Sequence, residues 1–152
     1  LGVWMVNVHA SGGVPMMKAA KEAIASSSHP QTKLIAVTVL TSMDQAQLSD
    51  VIDNVTPQQQ VLRLCKLTQQ AGLDGIVCSA QEAQVLRQTY TDAFLLVTPG
   101  IRPKGADAGD QKRVMTPDEA IDSGVSYLVM GRPITKADDP VAVLTSVNHS
   151  IA

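Results

Sequence analysis

Residues 116–132 read TPDEAIDSGVSYLVMGR. Thr116 followed by Glu119 has the spacing of a capping box, and Pro117 fills the first helical position, where its missing N–H costs nothing. Gly124 stops that helix. Tyr127–Met130 is then a short apolar run, as parallel strands covered on both faces show. Gly131 and Arg132 close the strand. Helix, stop, buried strand and polar loop make one unit, and the rest of the chain repeats its architecture.

Outward from that stretch, the strand candidates are Val3–His9, Leu34–Leu40, Gly75–Cys78, Phe94–Thr98 and Tyr127–Met130. A helix is expected from about Val14 to Ser27. Another starts at Pro57 behind the cap Thr56, presents Val61, Leu64, Cys65 and Thr68 on one face, and stops at Gly72. Ser79-Ala-Gln-Glu82 is a second capping box, and Ser42-Met-Asp-Gln45 has the spacing for a short helix. The last helix runs from about Pro140 to Ile151, where Asp138 and Asp139 suit its dipole. Strands alternating with crossover helices define an α/β fold.

Two architectures fit that alternation. No Gly-rich fingerprint follows any strand, which weakens a doubly wound dinucleotide-binding sheet. Five units in this chain come to about 30 residues each, and eight such units give the roughly 250 residues of a (β/α)8 barrel. The expectation is therefore one domain over residues 1–152: a partial (β/α)8 TIM barrel of five C-terminal βα units, with three units preceding Leu1. The abrupt start at Leu1, directly in a strand-like run, also reads as a fragment.

Composition narrows the function. Of 152 residues, 45% are hydrophobic and 17% charged, an ordinary globular balance. Lys and Arg number 12 against 14 Asp and Glu, and aromatics make up 3%. That excludes a basic nucleic-acid groove and a base-stacking platform. No apolar run approaches the ~20 residues of a membrane helix, and the opening stretch lacks the charged start of a signal peptide. Cys65 and Cys78 belong to no CxxC pair, and the three histidines have no metal-ligand spacing. A reducing, cytoplasmic setting is expected.

In a βα barrel the chemistry sits after the carboxyl ends of the strands. Gly131 permits close approach of backbone to an anion, and its N–H and that of Arg132 are donors. The Arg132 guanidinium adds a planar fork matched to phosphate oxygens. The competing reading pairs Arg132 with Asp138 or Asp139. Arg102 lies in the preceding loop and is placed to close on the same anion. The polar segment Pro99–Met115 is either a lid over that anion or a solvated surface loop. Thr41 and Ser42 follow the second strand, one a candidate ligand contact and its neighbour a cap. His9 ends the first strand and reads as a structural hydrogen bonder rather than an acid or base; His29 and His149 read as surface residues.

Several stretches taken together carry a resemblance. They are VNVHASGG (6–13), AVTVLTSM (36–43), VCSAQE (77–82), TPGIRP (98–103) with GDQ (109–111), and MGRPIT (130–135), in that order. Jointly they resemble bacterial orotidine 5'-phosphate decarboxylase, over essentially the whole chain. The resemblance implies a homodimeric (β/α)8 barrel that converts orotidine 5'-monophosphate to uridine 5'-monophosphate (UMP) in pyrimidine synthesis, with no metal or organic cofactor and with no nucleic-acid or membrane partner. It implies that Arg132 and the Gly131 backbone bind the substrate phosphate and that Arg102 contacts substrate. It also implies that Gln111 bridges phosphate and pyrimidine as the loop closes, that Thr41 bonds the pyrimidine edge, and that Pro99 lines the base pocket.

The family's chemistry rests on an Asp-x-Lys-x-x-Asp array whose lysine protonates the carbanion at C6. The chain has no such array. Its nearest string, Asp110-Gln-Lys112-Arg-Val-Met115, lacks the final Asp and sits in another loop. The expectation is that these 152 residues carry binding loops without a catalytic residue, are inactive alone and are poorly stable alone. Two other readings stay open: another phosphate-binding barrel enzyme of the same superfamily, and a non-catalytic phosphate-binding remnant.

Overall fold

The computed structural model describes residues 2–152, and Leu1, the first residue of the expected domain, lies outside it. Five strands form one sheet: β1 (Met5–His9), β2 (Lys33–Val37), β3 (Gly75–Val77), β4 (Leu95–Thr98) and β5 (Tyr127–Leu128). Seven α-helices accompany them among the described residues: α1 (Gly13–Ala25), α2 (Gln45–Ser49), α3 (Pro57–Gln70), α4 (Ala83–Arg87), α5 (Pro117–Asp122), α6 (Arg132–Thr135) and α7 (Pro140–Ser150). Every strand pairs parallel with its sequence neighbour, in the order β1-β2-β3-β4-β5. A doubly wound sheet reverses that order at a switch point. This sheet does not, so the α/β fold is of the barrel-wall kind.

Most helices begin where their side chains cap them. Thr56 and Gln59 exchange bonds at the start of α3, Thr56 Oγ1 accepting from the Gln59 amide at 3.2 Å and Gln59 Oε1 from the Thr56 amide at 2.9 Å. Val61, Leu64, Cys65 and Thr68 form the buried face of α3, as their spacing requires. Glu119 accepts from both the amide and the hydroxyl of Thr116 ahead of α5. Asp139 Oδ1 accepts the Ala142 amide at 2.9 Å to start α7. One expected cap is corrected. The box at the head of α2 is Asp44 with Gln47, not Ser42 with Gln45. The Thr41 carbonyl accepts the amides of Lys112 and Arg113, and residues 41 and 42 form a turn closed by the Met43 amide on the Leu40 carbonyl at 3.0 Å, so the helix begins two residues later.

The core lies between the sheet and its helices. Leu34, Ala36, Ile76 and Leu96 from the strands meet Met17, Val61, Cys65, Leu86 and Ala120 from the helices. Burial in apolar surroundings pushes the Cys65 thiol up to about 11, and Cys78 is driven up by the same cause, so both stay unreactive thiols. At Gly75 a Cβ would collide with the Leu95 backbone, so only glycine lets β3 and β4 pair this closely. The Trp4 and Tyr127 rings meet edge to face, 5.1 Å apart at 77°. One precedes the first strand and the other opens the last, so side chains from the two ends of the sheet meet although β1 and β5 do not pair. Both rings stay substantially exposed, with Val129, Val141 and Leu144 on the β5 flank.

A polar cluster ties the same, amino-terminal ends of the strands. Asp74 accepts Lys21 at 2.6 Å and the Leu34 amide at 2.8 Å, with Lys33 at 3.9 Å. Partial burial raises its carboxyl, but the Lys21 and Leu34 bonds and the two charges outweigh that and hold it below the usual 3.8. A carboxylate depressed in the folded state stabilises above its unfolded value, and that stabilisation is lost as pH falls through the folded value. Asp74→Asn is therefore expected to cost about 1–2 kcal/mol at pH 7. Urea titrations at descending pH should show wild type and variant converging below 3.8. A difference that persists there would show that the asparagine disturbs packing instead.

No helix among the described residues is long and apolar enough to cross a membrane.

Candidate functional site

The carboxyl ends of the strands carry two clefts. The first, about 260 Å³, is lined by Arg102, Ala106, Asp107, Gly109, Arg132, Pro133 and Lys136. Three of those seven side chains are cationic, against one carboxylate. The second, about 230 Å³, is lined by Val37, Val39, Leu40, Thr41, Ser42, Val77, Pro99 and Gln111. It is apolar apart from the Thr41, Ser42 and Gln111 side chains. Asp110 pairs with Arg132 of the first cleft, and Gln111 lines the second. Gly109 lines the first cleft and Gln111 the second, and at about 3.8 Å per Cα step these two residues lie within about 8 Å, so the clefts adjoin.

Arg132 is exposed and reaches back to Asp110, not to Asp138 or Asp139. That ion pair holds the Asp110 carboxyl below its usual range. Gly109, at φ +61°, lies against the Arg132 guanidinium, where a Cβ would stand 3.3 Å from Nη1. Gly131 caps α6 and is exposed, with no heavy atom within 4 Å of the place a Cβ would take. Arg102 is differently employed. It is buried, and it donates from Nε to Asp107 O at 3.0 Å, from Nη1 to Ile101 O at 2.9 Å and from Nη2 to Ala108 O at 3.2 Å. It lines the first cleft, yet its bonds go to its own loop.

The segment Pro99–Met115 is tied down at its ends, while residues 104–107, 109 and 110 are exposed. Ile101 bridges Met115, and the Arg102 amide donates to the Met115 carbonyl at 3.0 Å. Further along, the Thr41 hydroxyl donates to Gln111 Oε1. Gly100, at φ +79°, sits beneath that contact; a Cβ there would approach Arg113 O and Gln111 Oε1 at 3.2 Å and Thr41 Cβ at 3.4 Å. Thr41 is buried and Pro99 and Gln111 are half-buried beside it.

Other features were not expected from the sequence. Lys136 joins Arg102 and Arg132 in the first cleft. Buried Arg113 pairs with buried Glu82 and donates to the carbonyls of Val39 and Leu40 at 3.1 Å. Burial raises the Glu82 carboxyl, against the pull of Arg113 and the Ser79 amide. His9 stands exposed at the end of β1 and its ring makes no capping bond, so the expected structural role is not observed. His149 is exposed as expected, whereas His29 is half-buried, with its ring near Gly2.

These features define a class first: a parallel α/β protein of barrel type with a cationic cleft beside an apolar one at the strand ends. The model of the orotidine 5'-phosphate decarboxylase / HUMPS family matches residues 1–147, and the chain belongs to that family. It is 61% identical over 152 residues to the orotidine 5'-phosphate decarboxylase of Pseudoalteromonas atlantica, covering 100% of this chain and 66% of that protein. To the protein of the same name from Pseudoalteromonas translucida it is 63% identical over 151 residues, covering 99% and 64%. The crystal structure of orotidine 5'-phosphate decarboxylase from Lactobacillus acidophilus superimposes with a TM-score of 0.81 at 37% identity, over 99% of this chain and 64% of that one. The chain thus spans about two thirds of the length of the curated relatives it matches.

Proposed function

We propose that the chain carries the phosphate- and pyrimidine-binding loops of an orotidine 5'-phosphate decarboxylase, with UMP as the product those loops hold. The observation that carries this reading is the adjacency of the two clefts, joined through consecutive Asp110 and Gln111. A nucleotide monophosphate has the matching halves: a dianion, and a flat base with hydrogen-bonding edges. Arg132, the Gly131 backbone and Lys136 receive the phosphate. Arg102 braces the loop around it. Thr41, Gln111 and Pro99 receive the base, with Gln111 at the junction. Within a longer protein, these loops serve decarboxylation of orotidine 5'-monophosphate in pyrimidine synthesis, by a cytoplasmic homodimer as the resemblance implies. The 152-residue chain by itself turns over no substrate, because it contains no Asp-x-Lys-x-x-Asp array.

Calorimetric titration of the chain tests the reading with three ligands. UMP is expected to bind more tightly than uridine or ribose 5-phosphate, because it fills both clefts. Equal affinity for UMP and uridine would remove the phosphate cleft from the proposal. Tighter binding of ribulose-type phosphates than of UMP would favour another sugar-phosphate enzyme of the superfamily.

Asp110 supplies a second check. Its carboxylate holds the arginine that the phosphate needs, so an incoming phosphate must displace it. Asp110→Asn is expected to raise affinity for ribose 5-phosphate about two- to fivefold, the scale of an exposed ion pair. Unchanged or weaker binding in the same titration would show that Asp110 does not compete.

A further inference from the structure

We propose that the buried Glu82–Arg113 ion pair is a positioning device that fixes the Thr41–Gln111 contact, and so governs recognition of the base rather than the phosphate. This rests on the functional reading above and deepens it.

Glu82 and Arg113 are 4% and 8% exposed. Taking two charges out of water costs about what their attraction returns, so such a pair is weak evidence of a stabilising role. Its connections show what it does instead. Nη1 of Arg113 donates to Glu82 Oε1, and Nη2 donates to the carbonyls of Val39 and Leu40. Those carbonyls immediately precede Thr41. The second Glu82 oxygen accepts the Ser79 amide at 2.8 Å, and the Ser79 hydroxyl donates to the Arg113 carbonyl at 3.1 Å. The amides of Lys112 and Arg113 donate to the Thr41 carbonyl at 3.1 and 3.3 Å.

Three loops, after β2, β3 and β4, are therefore welded at one buried point. Thr41 lies one residue from the weld on one side, and Gln111 two residues from it on the other. Their side chains meet because the weld sets both backbones. The phosphate cleft is braced separately, by Arg102 on the carbonyls of Ile101, Asp107 and Ala108. The two halves of a nucleotide thus meet parts of the site braced by different arginines.

The full 152-residue chain is titrated with UMP and with ribose 5-phosphate, which lacks the base. Arg113→Met is expected to weaken UMP about tenfold, the worth of one well-placed hydrogen bond, while ribose 5-phosphate changes by less than about twofold. Glu82→Gln is nearly isosteric and keeps a carbonyl for one partner. It is expected to give a smaller loss of the same kind, with faster hydrogen exchange at the Lys112 amide. If Arg113→Met does not fold, Glu82→Gln carries the test alone. Equal losses for both ligands would show a merely structural pair, and no loss for either would show an irrelevant one; both overturn the proposal. An unsubstituted chain that binds neither ligand overturns the functional reading itself and this inference with it, a failure visible before any substitution is made.

Discussion

Arg132→Met is expected to weaken UMP binding by about a hundredfold. A hydrogen bond to a charged group contributes about 1.5–3 kcal/mol, and a forked guanidinium makes two in parallel to a phosphate. Arg132 is the cleft arginine with an exposed guanidinium, since the Arg102 nitrogens serve their own loop. Lys136 still lines the cleft and keeps the loss from being larger. Arg132→Lys should recover only part of the affinity, because an ammonium cannot fork. Calorimetry on the two variants and wild type decides the matter. A loss below about fivefold in Arg132→Met would move the phosphate grip elsewhere.

The second large effect concerns stability. Arg87, at the end of α4, donates from Nε to Gly124 O at 2.8 Å, from Nη1 to Thr91 O and Phe94 O at 2.8 Å, and from Nη2 to Ser126 Oγ at 3.0 Å. Ser126 Oγ in turn accepts the Leu96 amide at 3.1 Å. One side chain thus joins α4, the approach to β4, the end of α5 and the start of β5. Arg87→Met leaves those acceptors without a donor, and an expected cost of about 3 kcal/mol follows from losing several charge-assisted bonds. The urea midpoint should fall with little change in slope. Asp92 lies 3.7 Å from Nε but is fully exposed, so Asp92→Asn should shift the midpoint hardly at all. A large effect of Asp92→Asn would assign the stabilisation to the ion pair instead of the carbonyls.

Much of the fold was legible because its signals are local. The cap at Thr56 and the capping boxes at Ser79 and Thr116 need only a few neighbouring residues, and apolar runs need only a few positions. The strands came out shorter than their apolar runs, since pairing ends where the loops turn away; β5 keeps only Tyr127 and Leu128 of an expected Tyr127–Met130. The pairing of the site's polar groups was not legible. Arg132 pairs with Asp110, 22 positions back, rather than with the nearby acids Asp138 and Asp139. Glu82 read only as the end of a capping box. One of its oxygens does cap Ser79, but the other meets Arg113, 31 positions on. No local pattern encodes that second contact. Ser42 misled for the same reason: Thr41 beside it is held by a loop 70 positions away.

The neighbour-by-neighbour order of the sheet has a consequence for how the chain is made. From β2 to β5 each strand pairs with the one synthesised just before it, so none of these waits at the ribosome for a later partner. Each closure spans one crossover connection, that between β2 and β3 carrying both α2 and α3, and loop-closure cost grows only slowly with such lengths. At any moment the nascent sheet has one fresh edge, and the next strand to emerge covers it. Between β1 and β5 the chain can therefore add order in the direction of translation, as courses of brick are laid.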